Sequence, residues 1–138
     1  MWVLVLAWLG VLSCYDIRQR RLPNALTLPG AAAILLAAAV AGRFVPALAG
    51  AAALIGVYLL VHLMAPAALG AGDVKLAIGL GGLAGCFGVE VWLLAALGAP
   101  VLTALCGVVG LLRGVRTVPH GPSMCLATAG AITPAMLG

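Results

Sequence analysis

Three side chains in this 138-residue chain carry a carboxylate: Asp16, Asp73 and Glu90. The two aspartates sit in polar breaks of a sequence that is otherwise nearly all hydrocarbon. Asp73 lies in Gly70-Ala71-Gly72-Asp73-Val74-Lys75-Leu76, where two glycines flank a small residue, an aspartate and a lysine follow, and an apolar run resumes. Ionisable groups at the edge of an apolar segment are costly, and a chain seldom carries them without a use. If Asp16 and Asp73 meet, they form a reactive pair. Two carboxylates a few ångströms apart resist ionising together and share one proton near neutral pH. The ionised member takes a proton from water as general base. The protonated member bonds a substrate carbonyl and later donates to the leaving amine. That is peptide hydrolysis without metal or covalent intermediate. The pair titrates as a unit, so the proton belongs to neither residue in advance. Each aspartate also has a plainer reading. Asp16 could pair with a loop arginine at the end of a helix. Asp73 could pair with Lys75, although residues two apart on a helix do not face each other.

The elements that must position the pair follow from composition. The chain is 65% hydrophobic and 7% charged, against roughly 25% charged in a soluble domain. So little charge cannot coat a water-soluble globule. The expectation is an integral membrane protein in the lipid bilayer, all-α, a polytopic bundle forming one domain over residues 1–138. The net charge of +4 is assigned to orientation in the bilayer rather than to nucleic acid. Cys14, Cys86, Cys106 and Cys125 form no CxxC pair. They read as small packing residues in helices, and no structural zinc site is expected.

Apolar runs place six spans at residues 1–14, 25–41, 47–64, 76–89, 91–112 and 121–138. The first run could pass for a signal-peptide core, but it lacks a basic start and a clear small-x-small cleavage site. Residues 17–24 read as a polar loop, in which Pro23 disfavours unbroken helix. Pro100 is a candidate kink in the fifth span. The fourth span is short for a crossing of about 20 residues, so its helix is expected to start before Asp73 or to lie where the protein is thin. Glu90 marks its far end. With six spans, the loops after the first, third and fifth share one side. They hold Arg18, Arg20, Arg21, Lys75, Arg113 and Arg116, and the other side holds only Arg43. This asymmetry predicts cytoplasmic basic loops and external termini. It also puts Asp16 and Asp73 at the cytoplasmic depth and Glu90 at the outer one. From Asp73, steps of four give Ala77, Gly81 and Gly85. Such a stripe of small residues lets helix backbones approach closely, and is expected to let the fourth helix meet the first. Gly70 and Gly72 are expected to permit irregular backbone and to leave room for an extended peptide.

These residues resemble a known family. Gly70-Ala71-Gly72-Asp73-Val74-Lys75 is similar to the GxGD motif of intramembrane aspartyl proteases, in the lysine-bearing version of type IV prepilin peptidases. Asp16-Ile17-Arg18-Gln19-Arg20-Arg21-Leu22-Pro23-Asn24 resembles that family's aspartate, basic loop and aliphatic-Pro-Asn. Val118-Pro119-His120-Gly121-Pro122-Ser123 is similar to its Pro-Phe-Gly-Pro, with His120 in place of the aromatic. The resemblance implies catalysis by Asp16 and Asp73, with Gly70, Gly72, Lys75, Pro23 and Asn24 as supporting motif residues. It implies cleavage of the N-terminal leader of prepilin or pilin-like precursors, at the cytoplasmic face of a bacterial cytoplasmic membrane. Larger members carry an amino-terminal region with paired CxxC motifs, associated with methylation. The sequence here resembles the short members, such as those of tight-adherence pilus systems and the archaeal preflagellin peptidases. No cofactor is expected, and no S-adenosylmethionine.

The other polar residues read more plainly. Either His62 or His120 could line the site; the plainer reading, and the one expected, is a hydrogen-bonded helix-end histidine, without a third ligand for a metal. Lys75 is read evenly as a group that holds substrate carbonyls or tunes the aspartates, or as one that snorkels to headgroups. Asn24 is expected to cap the second helix. A homo-oligomer is compatible with the sequence. The rival reading is a small transporter or channel subunit that uses the aspartates as a proton or cation relay, although no internal repeat of the transporter kind is visible.

Overall fold

The computed structural model describes residues 2–67 and 69–138. Among them there are six helices and no strand: α1 Trp2–Gln19, α2 Asn24–Val40, α3 Phe44–Met64, α4 Ala71–Gly85, α5 Val89–Leu112 and α6 Gly121–Leu137. The all-α expectation holds. Met1, where the first span was expected to begin, lies outside the described residues. Two helices, α3 and α5, are each long and apolar enough to cross a membrane, with mean hydropathy of 2.2 and 2.1. α2 is apolar but shorter.

The distribution of side chains is inverted relative to a water-soluble bundle. Leu94, Leu97, Val101, Leu105 and Val108 of α5 point outward, as do Leu60 and Leu63 of α3. The interior is built largely from small residues around Leu12, Leu76, Leu80 and Met124. In water this arrangement would forfeit the burial of large apolar groups that drives folding.

α4 is the axis of the bundle. It packs most extensively on α3, then on α2, and also touches α5 and α6. Its small-residue stripe makes the α3 contact. A methyl at Gly81 would lie 2.6 Å from the Gly50 carbonyl oxygen and 2.8 Å from Leu54 Cβ, and one at Gly85 would lie 2.5 Å from the Pro46 carbonyl oxygen. Backbone therefore meets backbone, the close approach that small residues permit. This corrects the sequence expectation: the stripe serves α3, not α1. Gly81→Ala is expected to destabilise the fold by about 1–3 kcal/mol, because rigid backbone leaves the added carbon nowhere to go. A lower thermal midpoint in detergent checks this; an unchanged midpoint would show that α3 and α4 can separate freely.

Two indoles brace the ring of helices around α4. Trp8 of α1 donates to the Leu26 carbonyl of α2 at 2.9 Å, and its ring covers Gly79 of α4. Trp92 of α5 donates to the Gly50 carbonyl at 2.9 Å. Because α4 is enclosed by protein for most of its 15 residues, it does not need the length of a lipid-facing span.

Several helix ends differ from the sequence reading. α1 runs on past Cys14 and carries Asp16 inside it. α4 starts before Asp73, as expected, but stops at Gly85. Gly88, at φ +108°, turns the chain in a conformation that suits glycine, and Glu90 falls in the first turn of α5. A carboxylate there faces the positive helix end. α5 passes through Pro100 without interruption. Of the four cysteines only Cys125 is a buried packing residue; Cys14 and Cys106 are exposed.

Candidate active site

Asp16 is placed by α1 and held by α6. Its side chain is only 7% exposed, and Oδ2 accepts the Gly121 N–H at 2.9 Å. Gly121 opens α6, and its N–H is among the donors that a helix start leaves without an internal partner. His120, at the N-cap, provides no side-chain cap. The carboxylate of a different helix takes that place, facing the positive end of α6. The contact demands glycine: a methyl at position 121 would lie 3.0 Å from Asp16 Cγ, and closer still to Oδ2.

Asp73 stands in the first turn of α4. Its backbone N–H bonds the Gly70 carbonyl at 3.1 Å, and it lies within electrostatic reach of Asp16. Both aspartates line one cavity of about 630 Å³. The rest of the wall is the α1–α2 connection from Gln19 to Asn24, then Gly70, Ala71, Gly72 and Lys75. The structure thus brings together the aspartates and all five supporting motif residues. The route differs from the expected one. α1 packs mainly on α6 and only slightly on α2, so Asp16 reaches the cavity through α6 rather than through an α1–α4 seam.

The supporting residues have specific tasks. Pro23 is the N-cap residue of α2, in extended backbone. Asn24 makes no cap, contrary to expectation. Its Oδ1 accepts from Lys75 Nζ at 2.9 Å. That bond uses the lysine to fasten α2 to α4, a role absent from both sequence readings of Lys75. Gly70 has an ordinary φ of −76°, so no irregular backbone requires glycine there. Gly72 is different, since a methyl would come within 3.3 Å of Leu22 Cβ. Arg20, at φ +51°, ends α1 and bonds Thr117 through its guanidinium. That ties the α1–α2 loop to the α5–α6 loop.

His62 fulfils the helix-end reading: its Nδ1 donates to the Leu69 carbonyl at 2.6 Å, just before Gly70. His120 does not line the cavity. It lies between Tyr58 Oη at 2.8 Å and Thr103 Oγ1 at 2.5 Å. Burial lowers its pKa below the ordinary imidazole value of 6.5, so the ring is neutral at pH 7. Sequence reasoning missed Gln19 and Leu22 as parts of the site, and the Gly121 N–H as the partner of Asp16. The available signal was the Gly-Pro pair at positions 121 and 122 opening a helix.

No match was found among curated proteins or among solved structures. The model of the type IV leader peptidase family matches residues 3–114, which takes in α1 to α5, both aspartates and every wall of the cavity. With most of its length covered by that match, the chain belongs to the type IV leader peptidase family.

Proposed function

We propose that this chain is a multi-pass membrane aspartyl endopeptidase that removes the N-terminal leader of type IV pilin-like precursors at the cytoplasmic face. The observation that carries the reading is the convergence of the chain's only two aspartates on one cavity. Family membership makes it a leader peptidase in general. A cavity of about 630 Å³ has room for a peptide segment as well as a water molecule, whose share of liquid volume is about 30 Å³. One carboxylate activates that water, and the other protonates the leaving amine.

Hydrogen bonds at the two ends of the bundle support the six-span topology. At one end Arg20 ties the α1–α2 loop to Thr117 of the α5–α6 loop, and Lys75 near the start of α4 bonds Asn24 at the start of α2. Arg43 donates to the Cys86 carbonyl at the opposite end, at 2.9 Å. The segregation of charge along the sequence is therefore matched by contacts in space, and the basic end is the one bearing the cavity.

The test is incubation of the detergent-purified protein with a tagged type IV prepilin, read as a gel shift for leader loss. Cleavage is expected, and EDTA is expected to leave the rate unchanged, because the aspartate pair supplies both the base and the acid. Chelator sensitivity would replace this mechanism with a metal-dependent one. Ion flux in liposomes with no cleavage of any prepilin would favour the transporter reading.

A further inference from the structure

None of Tyr58, His120 and Thr103, which form a hydrogen-bonded string, lines the cavity, and the string has no part in the chemistry proposed above. Its donors can be assigned in sequence. Thr103 Oγ1 has one proton and a carbonyl, that of Ala99, at 3.0 Å to receive it. Thr103 must then accept from His120, so Nδ1 carries the imidazole proton. In the neutral ring Nε2 is left as an acceptor, and the Tyr58 hydroxyl donates to it. Every group in the string is satisfied in one arrangement, with the imidazole uncharged. The half-buried position of the ring agrees with that state.

The string joins α3 to α5, and the peptide unit that leaves His120 carries the N–H that bonds Asp16. We propose that His120 is a positioning residue, whose ring, strung between Tyr58 and Thr103, sets where the Gly121 N–H meets Asp16. The inference rests on Asp16 being one of the two reacting carboxylates. The groups facing the imidazole are Tyr58 from α3 and Thr103 from α5. Asp16 of α1 is reached through Gly121, and Asp73 of α4 lies within electrostatic reach of Tyr58. Without the string, His120 retains only the bond from the Met124 N–H to its own carbonyl, at 3.1 Å, to fix the start of α6. That bond lies within α6; the string adds polar links from the start of α6 to α3 and α5, beside the apolar packing of α6 on α5.

The test compares His120→Phe, His120→Gln, Tyr58→Phe and the double variant Tyr58→Phe/His120→Phe in prepilin cleavage, with kcat expressed per folded molecule. Phenylalanine keeps a flat ring but removes both bonds. Glutamine restores an acceptor and a donor on neighbouring atoms of a flat neutral group. His120→Phe and Tyr58→Phe are each expected to lower kcat about tenfold at unchanged KM, less than the roughly 10²-fold that a full ångström of misplacement costs. The double variant should fall no further than either single one, since the two residues act through one string. His120→Gln should recover most of the rate. Wild-type kcat in His120→Phe, or losses that simply multiply in the double variant, would overturn the proposal. A fold-only role would lower the yield and leave kcat per folded molecule intact. If His120→Phe fails to accumulate, Tyr58→Phe and His120→Gln decide alone: a tenfold loss in the first with recovery in the second upholds the proposal, and wild-type kcat in Tyr58→Phe overturns it. Asp16→Asn is run alongside. Retained cleavage there would refute the aspartate mechanism itself. Abolished cleavage there, with fully active string variants, would refute only the positioning role.

Discussion

Asp16→Asn and Asp73→Asn are each expected to reduce prepilin cleavage by about 10³-fold or more, within the range that a positioned acid or base contributes. Asparagine is close to isosteric with aspartate and removes only the capacity to exchange a proton. At position 16 the side-chain carbonyl oxygen can still accept the Gly121 N–H, now at 2.9 Å from Oδ2, so the start of α6 stays capped. At position 73 the backbone bond to Gly70 does not involve the side chain. Both variants should therefore insert, fold and bind substrate with little change in thermal midpoint. The double variant is expected to be no slower than the worse single one, because one carboxylate without its partner cannot supply both proton transfers. A purely structural role predicts the reverse pattern, with lower yield and near-normal turnover. Retained cleavage in either single variant would end the paired-carboxylate mechanism.

Much of this site is written locally in the chain. The scarcity of acids singles out Asp16 and Asp73, and Pro23 and Gly70 bound the helices that follow them. Six apolar runs separated by polar breaks give six helices, because breaks of that kind are where the backbone can turn. What the sequence conceals is which helix touches which. In a soluble bundle the contrast between apolar and polar faces marks the buried side. Here Leu60 faces outward and Leu76 inward, and hydropathy does not distinguish them. Small residues are the surviving signal, and they mark a close approach without naming the partner. The stripe at Ala77, Gly81 and Gly85 therefore points to α1 as readily as to α3, and it is α3 that Gly81 and Gly85 meet. The same blindness affects polar side chains. Asn24 has every local mark of a helix cap, yet Lys75, distant in sequence, takes its oxygen. His120 has the marks of a helix-end residue, and its two partners come from α3 and α5. Long-range polar bonds of this kind depend on helix order, which periodicity does not carry.

Gly121→Ala is expected to lower cleavage by about 10²-fold, the scale of an ångström of misplacement in a reacting group, with a fall in stability no larger than the loss of one helix cap, about 1 kcal/mol. The comparison with Gly81→Ala shows why. At position 81 the added carbon meets the Gly50 carbonyl oxygen, and backbone in the α3–α4 seam has no way to yield. The fold absorbs the strain there. At position 121 the added carbon meets the carboxylate end of Asp16, a short side chain that can rotate away. The fold loses only that cap bond, but Asp16 leaves the Gly121 N–H and with it the place from which it faces the cavity. The two glycine substitutions should thus separate: a lower midpoint is the main effect of Gly81→Ala, and a kcat loss the main effect of Gly121→Ala. Adding Asp16→Asn to Gly121→Ala should cost less than it does in the wild-type background, since a displaced carboxylate has already lost most of its effect. Full cleavage by Gly121→Ala would mean that Asp16 works from a position α6 does not set, and the capping bond would then belong to the stability of α6 alone.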